Sequence, residues 1–319
     1  IAPLIRNVGH TPIIPTASDV VTVVAKVQDE LTSGLVVELH YRDDGDPDFS
    51  TVAMFDDGLH NDDDPGDGIY GADLPARPDG TIVEFYVRAT DANLNSRNWP
   101  APVTGKGQTA NCLYQVDDSF TDDWTPGDEP VWRVILTAQE WAELDLIEDT
   151  SATQDSNAQR NVTFVSTNGV DTDVRYEAGM RNRGNGSRGT NPHNQRINLP
   201  HDRSWQGYKA LTINARVPQS QAIGSAVFRF ADIPSIDTTP IEFQINGTNY
   251  APGSRYYRYN WLEALDSDMA ANHWPDDPSG NIYKNNDSNG DADGGDFDYS
   301  GPDMSDYNVA YVAQTNASS

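Results

Sequence analysis

Cysteine is almost absent from this chain. The 319 residues include one, Cys112, so no internal disulfide can form. Because small secreted eukaryotic domains commonly depend on disulfides, this absence disfavours that class and leaves bacterial secreted proteins open. Cys112 follows a strand-like stretch and has no neighbouring base, which favours a buried structural thiol over a nucleophile. Histidine is scarce too, and the six histidines do not fall at the spacing of zinc ligands.

Long apolar runs and basic residues are also lacking. No run approaches the roughly 18 apolar residues of a membrane-spanning helix, so we expect no membrane span in this chain. The chain shows no signal peptide and begins at Ile1, which indicates a processed or truncated piece. With 21 Lys and Arg against 49 Asp and Glu, the net charge is −28, which excludes non-specific binding to nucleic acid or anionic membranes.

Residues 1–118 have the pattern of an all-β module. Apolar residues alternate with polar ones in "VVTVVAKVQD", "GLVVELHYR" and "TIVEFYVRATD", and Gly, Pro and Asp separate these runs. Period-two alternation without a helical stretch predicts a β-sandwich of the immunoglobulin or fibronectin type III kind. Residues 119–130 are acidic, contain Pro and Gly and show no period, so we predict a linker there.

Residues 131–319 mix helical and strand patterns, which predicts an α+β domain. Thr137 and Glu140 form a capping box at the start of a predicted helix. A hairpin follows, with a type I′ turn signal at Asn168-Gly169. The stretch "YNWLEALDSDMAANHW", which contains Glu263, is interpreted as a second helix.

A basic island interrupts this acidic chain. Between Arg175 and Arg216 lie eight Lys or Arg residues and two acids, and "RNRGNGSRG" stands in the middle of the island. Guanidinium groups suit phosphate oxygens, and glycines let backbone N–H groups approach an anion. The island therefore suggests an anion site, with a flexible hairpin tip paired to carboxylates as the alternative.

Two acidic loops are candidates for calcium, which takes six to eight oxygen ligands. The first loop offers Asp56, Asp57, Asp62, Asp64 and Asp67, and the second offers Asp287, Asn289, Asp291, Asp293, Asp296 and Asp298. The second loop does not satisfy the EF-hand pattern from either of its two possible first residues. The alternatives are a turn in which Asp side chains cap their own backbone, for the first loop, and a solvated insertion, for the second.

The second half resembles the CotH family of spore-coat kinase-like proteins. The resemblance covers about Val131 to Ser319 and rests on the order of "RNRGNGSRG", "FQINGTNY", "WLEALD" and "GNIYK". The first half is similar to the immunoglobulin-like modules that precede such domains in large secreted bacterial proteins. We therefore expect a secreted or cell-surface bacterial protein whose partners are other extracellular proteins or copies of itself.

The CotH resemblance implies an atypical kinase-like fold that uses ATP and Mg²⁺ or Mn²⁺ to phosphorylate other proteins. The candidate nucleotide-binding residues are Arg181, Arg183, Gly184, Arg188, Arg196, Glu263 and Lys284, with Glu263 as a helix carboxylate near the site. The family's Lys-Ser-aromatic run is replaced here by His193-Asn194-Gln195-Arg196. Its catalytic and metal-binding aspartates are expected downstream of Ser319, so this chain alone is expected to be inactive. The alternative is a calcium-stabilised structural or adhesive surface protein whose CotH-like domain is a scaffold.

Overall fold

A computed structural model gives the fold. It describes residues 1–31, 33–121, 128–149, 156–168, 171–184, 192–215, 218–250, 259–285, 301–303 and 311–315. Strands predominate over helices, so the fold is β-rich, in line with the all-β pattern of the first half but not with the α+β prediction for the second. No helix in these ranges is long and apolar enough to cross a membrane.

The first half contains two sheets that share one core. Its strands are β1 (Leu4–Thr11), β2 (Val21–Gln28), β3 (Val36–Asp43), β4 (Ser50–Ala53), β5 (Ile69–Leu74), β6 (Ile82–Thr90), β7 (Ser96–Trp99) and β8 (Cys112–Gln115). One sheet has the order β1-β2-β5; the other has the order β4-β3-β6-β7, with β8 also paired to β6. The side chains predicted to face inward from β2 and β6, including Val23 and Phe85, lie in this core. Period-two alternation therefore located the buried faces correctly.

The second half is built around a closed barrel. Its strands are β9 (Val131–Ile135), β10 (Arg160–Thr167), β11 (Thr172–Asn182), β12 (Gln195–Asn198), β13 (Ala210–Asn214), β14 (Thr238–Ile245), β15 (Thr248–Asn249) and β16 (Tyr259–Glu263). The sheet order is β15-β14-β16-β13-β12-β11-β10-β9, and a parallel pairing of β14 with β9 closes seven of these strands into a barrel. A small hairpin of β17 (Tyr283–Asn285) and β18 (Tyr311–Ala313) follows.

Three helices accompany the barrel in the described ranges, namely α1 (Ala138–Asp149), α2 (Pro218–Phe230) and α3 (Ser267–His273). Large aromatic side chains fill the barrel: Trp132 lies 4.9 Å from Trp205 and 5.3 Å from Phe164, between ring centroids. This architecture is β-rich and does not match the kinase-like α+β domain that we expected. The residues around Glu263 that we predicted as the start of a helix form strand β16 instead. This strand lies between β13 and β14, and all five of its residues are buried.

The two halves are in contact through buried groups. The Leu113 backbone N–H donates to Thr163 Oγ1 at 3.0 Å, and Tyr176 of β11 packs into the core of the first half. Ile14, Leu113, Ile135 and Val165 form a smaller cluster between the halves. Half of the predicted linker at 119–130, residues 122–127, lies outside the described residues.

The capping box at the start of α1 is confirmed. Glu140 Oε2 accepts from the Thr137 backbone N–H at 3.1 Å, and Thr137 Oγ1 accepts from the Glu140 N–H at 3.2 Å. Burial raises the pKa of Glu140 to about 7, although the donors of Thr137 oppose the shift. The carboxyl group therefore titrates near neutral pH in the folded protein.

We expect Glu140 to make stability pH-dependent between about pH 4.5 and 7. Because the folded protein holds this proton more tightly than the unfolded chain, the stabilisation is complete below the ordinary pKa and is lost as pH rises through about 7. Glu140→Gln keeps a side chain that can form the capping box but cannot ionise. As the pH rises from 5 to 8, its free energy of unfolding should therefore increase relative to that of the wild type by roughly 1–3 kcal/mol. Urea unfolding at both pH values measures this gain. Glu143→Gln on the same helix is the control, and an equal gain in both variants would refute the assignment.

Candidate functional site

A cleft of about 500 Å³ lies on the outer face of the barrel. Its floor is formed by β12, β13 and β16, where Arg196, Thr212 and Leu262 are register partners on neighbouring strands and therefore share one face. Helix α2 packs against β14 and β16 and forms one wall. Lys284 of β17 and Gln314, which follows β18, complete the lining.

Arg183 is the half-buried cation of this cleft. Its Nη1 donates to Asn214 Oδ1 at 2.8 Å, and its backbone N–H donates to the Asn194 carbonyl at 2.9 Å. Burial, together with repulsion from Arg196 and Arg181, lowers the pKa of Arg183 to about 10. Among the described residues, no carboxylate lies within ion-pair distance of Arg183. The fold therefore holds a cation here at an electrostatic cost that an anion would relieve.

Two further cations, Arg196 and Lys284, add positive charge to the cleft. Arg196 Nε donates to Asn198 Oδ1 at 2.9 Å, and the distance from its Nη2 to Asp266 Oδ2 is 3.9 Å, at the edge of an ion pair. Lys284 is exposed and forms no ion pair with a described residue. The three cations leave the cleft with an excess of positive charge in a chain of net charge −28.

Helix α2 contributes both polar and apolar groups. Ser220 and Gln221 in its first turns line the cleft, as do Phe228 on the same helix and Ile236 beyond it. Gly224 also lines the cleft, and a Cβ placed on it would have no heavy atom within 4 Å. Packing within the protein therefore does not require a glycine, which in a helix interior costs about 1 kcal/mol relative to alanine.

The structure brings together four of the predicted nucleotide-binding residues, namely Arg183, Arg196, Glu263 and Lys284. Arg181 lies beside them, but its Nη1 donates to Asn157 Oδ1 at 3.1 Å. Gly184 follows Arg183 with a φ of 118°. Arg188 lies outside the described residues.

Glu263 is at the end of a strand rather than on a helix, which corrects our interpretation of this stretch. Its side chain is fully buried, and Oε2 accepts from His273 Nε2 at 2.6 Å and from the Asp237 backbone N–H at 3.1 Å. Oε1 accepts from Asn272 Nδ2 at 3.1 Å. Burial and the charges of Glu263 and Asp237 raise the pKa of Tyr208, whose hydroxyl lies 3.2 Å from Asp237 Oδ2. This end of the barrel is thus an acidic, hydrogen-bonded corner next to the cationic cleft.

The first acidic loop uses its carboxylates to hold its own backbone. Asp62 is buried and accepts from the N–H groups of Asp57, Gly58 and His60 at 2.5–3.0 Å. Burial alone would raise the pKa of Asp62, but these amides lower it below its usual range. Asp56 accepts from two glycine N–H groups, while Asp57 and Asp67 each accept from the backbone N–H two residues on. The alternative in which Asp side chains cap their own backbone therefore explains these carboxylates. Asp64 is exposed. Calcium binding by this loop stays a prediction.

The second acidic loop falls outside the described residues, which include none of Asp287, Asn289, Asp291, Asp293, Asp296 and Asp298. The preceding "GNIYK" continues into β17, and the Ile282 backbone N–H donates to Thr315 Oγ1 at 2.9 Å. Part of this motif therefore forms a strand.

We expect calcium to raise the melting temperature of the chain. Binding to the native state alone adds about 2.7 kcal/mol at a hundredfold excess over Kd. Scanning calorimetry in calcium and in chelator measures the shift in melting temperature. Comparing Asp62→Asn with Asp287→Asn then shows which of the two loops binds the ion, because each variant removes a carboxylate from one loop only. Identical midpoints in calcium and chelator would show that neither loop uses the ion.

Sequence reasoning missed α2 and the partners of Glu263. The signal for α2 was Pro218, a residue common at the first helical position, followed by an apolar period through Ile223 and Val227. Asp237 and His273 gave no such signal, because 26 and 10 residues separate them from Glu263 along the chain.

Comparisons with known proteins add little to this geometry. No protein-family model matches the chain, and neither does any curated protein. Among solved structures, the chain is similar to the cycloalternan-forming enzyme from Listeria monocytogenes in complex with a pentasaccharide substrate, with 11% sequence identity and a TM-score of 0.26. The match covers 86% of this chain and 32% of that one, so the chain spans about a third of its length. A likeness this weak supports no statement about fold or function.

Proposed function

We propose that the cleft between α2 and the barrel binds the phosphate groups of a nucleotide, with ATP as the first candidate. The observation that carries the proposal is Arg183, a half-buried guanidinium beside Arg196 and Lys284 that has no described carboxylate partner. Phosphate oxygens accept from guanidinium groups in short, charge-assisted hydrogen bonds. A bound polyphosphate would therefore relieve the repulsion between these cations.

The remaining lining suits the other parts of a nucleotide. Phe228, Ile236 and Leu262 supply apolar surface for a base, and Thr212 and Ser235 supply hydroxyl groups. The positive end of the α2 macrodipole lies near Ser220 and Gln221, which favours an anion further. Gly224 leaves room for close approach of a ligand to the helix backbone.

In this proposal the chain is part of a secreted or cell-surface bacterial protein related to the CotH family. The CotH resemblance of the second half supplies the reaction class of the parent protein, phosphoryl transfer from ATP to extracellular proteins, and this chain alone is expected to be inactive. The separate likeness of the first half supplies its immunoglobulin-like character. The CotH resemblance also implies Mg²⁺ or Mn²⁺. The cleft's buried carboxylate, Glu263, is hydrogen-bonded to His273 and Asn272, which does not fit the open, largely hydrated site that Mg²⁺ requires, so we derive no step through either ion.

A second candidate is a structural or adhesive surface protein that docks through α2. Its support is a row of exposed apolar side chains on this helix: Ile223 is 64% exposed, Val227 60% and Phe230 91%. Exposed apolar patches on a folded protein commonly mark binding surfaces. This candidate does not require the cleft to bind any anion.

The proposal is tested by titrating the chain with a fluorescent ATP analogue at low and moderate salt. We expect saturable binding that tripolyphosphate displaces, that adenosine displaces weakly and that salt weakens. Gly224→Ala should unfold at the same or a higher urea concentration, since alanine favours the helix by about 1 kcal/mol, yet bind the analogue more weakly. Ala222→Gly is the control, because it changes the helix propensity of α2 without changing Gly224. Absence of saturable binding, or binding that tripolyphosphate leaves unchanged, would favour the adhesive candidate.

A further inference from the structure

Three elements converge at one end of the barrel beside the cleft. Asp237 immediately precedes β14, Glu263 ends β16 and His273 ends α3. One ligand atom from each of these side chains lies within 4.8 Å of the others. Since the three residues come from separate elements, this convergence is a property of the fold rather than of one loop.

We propose that Asp237, Glu263 and His273 bind a divalent first-row transition-metal ion such as Zn²⁺. One imidazole and two carboxylates form a mixed nitrogen and oxygen ligand set, which suits such ions better than it suits Ca²⁺ or Mg²⁺. The inference goes beyond nucleotide binding and does not depend on it.

The site already has the outer contacts that orient metal ligands. Tyr208 donates its hydroxyl to Asp237 Oδ2 at 3.2 Å, and Asn272 holds Glu263 Oε1 at 3.1 Å. Arg229 lies 3.2 Å from Asp237 Oδ1. Such contacts fix the geometry of metal ligands and contribute to metal affinity. His273 Nε2 and Glu263 Oε2 face each other at 2.6 Å, so both atoms can be ligands of one shared cation.

A buried donor on the same face of β16 as Glu263 supports the same assignment. The Tyr208 ring packs edge-on against Trp261, with centroids 4.9 Å apart, and Trp261 shares a face of β16 with Glu263 because strand side chains alternate. Trp261 is 6% exposed, and its indole N–H has no acceptor within the described parts of the chain. A water or anion bound to a metal ion is an acceptor of the kind that this N–H requires.

Access and charge also fit a metal ion. Glu263 is closed off from solvent, whereas His273 is 21% exposed and Asp237 38% exposed on their side chains, so an ion can enter from the side of these two residues. Two carboxylates held this close repel each other, and a divalent cation offsets this repulsion more fully than the Arg229 contact alone. Glu263 also lines the cationic cleft, so the ion would lie beside a bound anion.

The test titrates the full chain, stripped with a chelator, with Co²⁺ as a spectroscopic probe in excess Ca²⁺, which occupies oxygen-only sites. We expect one Co²⁺ per chain with a visible absorption band, displaced by Zn²⁺. Asp237→Asn and His273→Gln should each weaken Co²⁺ binding more than about tenfold, because losing a direct ligand costs at least as much as losing an outer contact. The matched controls, Asp202→Asn and His201→Gln at exposed positions, should bind Co²⁺ as wild type does.

A second measurement on the wild-type chain keeps the proposal testable if a variant fails to fold. Zn²⁺ should protect His273, but not His201, from modification by diethyl pyrocarbonate, as read by peptide mass spectrometry. Binding of Co²⁺ that is unchanged in both ligand variants, no Co²⁺ binding at all, or equal modification of His273 with and without Zn²⁺ would each overturn the assignment.

Discussion

Replacing Asp117 by alanine should lower the free energy of unfolding by about 3–5 kcal/mol. Asp117 Oδ2 forms an ion pair with Arg133 Nη1, and the two side chains are 8% and 9% exposed. Removing the carboxylate leaves a buried guanidinium without its counter-charge, and burial of an unpaired charge is far more costly than the loss of an exposed pair. Arg133 also lies over the Phe120 ring at 5.1 Å, so its position is fixed by packing and it cannot move easily to solvent.

Urea unfolding measures this effect, and a surface pair provides the control. Arg77 Nε and Asp43 Oδ1 lie 2.9 Å apart, with side chains 18% and 37% exposed. Asp43→Ala should cost about 1 kcal/mol or less. The double variant Asp117→Ala with Arg133→Met should recover part of the stability, because no unpaired charge remains. Equal losses for Asp117→Ala and Asp43→Ala would contradict the buried-pair explanation.

Replacing Arg183 by methionine should weaken binding of the ATP analogue by roughly 10- to 150-fold, the range for a hydrogen bond to a charged group. Methionine keeps much of the apolar stem of arginine but removes the charge and the donors. The folded state should lose little stability, since the replacement also removes repulsion between Arg183, Arg196 and Arg181. Arg183→Lys should fall between, because a lysine retains the charge without the planar pair of donors.

The matched control for Arg183→Met is Arg175→Met. Arg175 lies on β11, the strand that immediately precedes Arg183. Arg175 Nε donates to the Ser204 carbonyl at 3.1 Å, and this residue does not line the cleft. Its replacement should leave the affinity for the analogue unchanged while affecting stability. Equal affinities for wild type and Arg183→Met would remove the observation on which the proposed function rests.

Local patterns predicted the elements that depend on local chemistry. Thr137 and Glu140 form the capping box that their spacing indicated, and alternation placed Val23 and Phe85 in the core of the first half. These features follow from contacts a few residues apart or from the period of one strand. No interaction with a distant part of the chain is needed to fix them.

The barrel and α2 were missed because tertiary contacts decide them. All five residues of β16 are buried, so this strand shows no alternation that would distinguish it from a helix. The parallel pairing that closes the barrel joins β14 to β9, which are separated by about a hundred residues, and no short pattern encodes it. A kinase-like α+β arrangement was therefore the wrong expectation for a stretch whose strands close on themselves.

The candidate site was predictable in part. The basic island indicated an anion site, and the CotH resemblance singled out Arg183, Arg196, Glu263 and Lys284, which the fold places around one cleft. Phe228 and Gly224 of the cleft and His273 of the acidic corner come from elements whose positions only the closed barrel defines. Residue type alone could not assign them.

The central proposal is that the cleft beside α2 holds a nucleotide, and photo-crosslinking with an azido-ATP analogue tests its location most directly. After irradiation, proteolysis and mass spectrometry, we predict that the label is on peptides that contain Phe228, Ile236 or Leu262. Excess tripolyphosphate and the Arg183→Met replacement should both reduce this labelling. Label confined to peptides from residues 1–118, at analogue concentrations that saturate binding, would contradict the proposal.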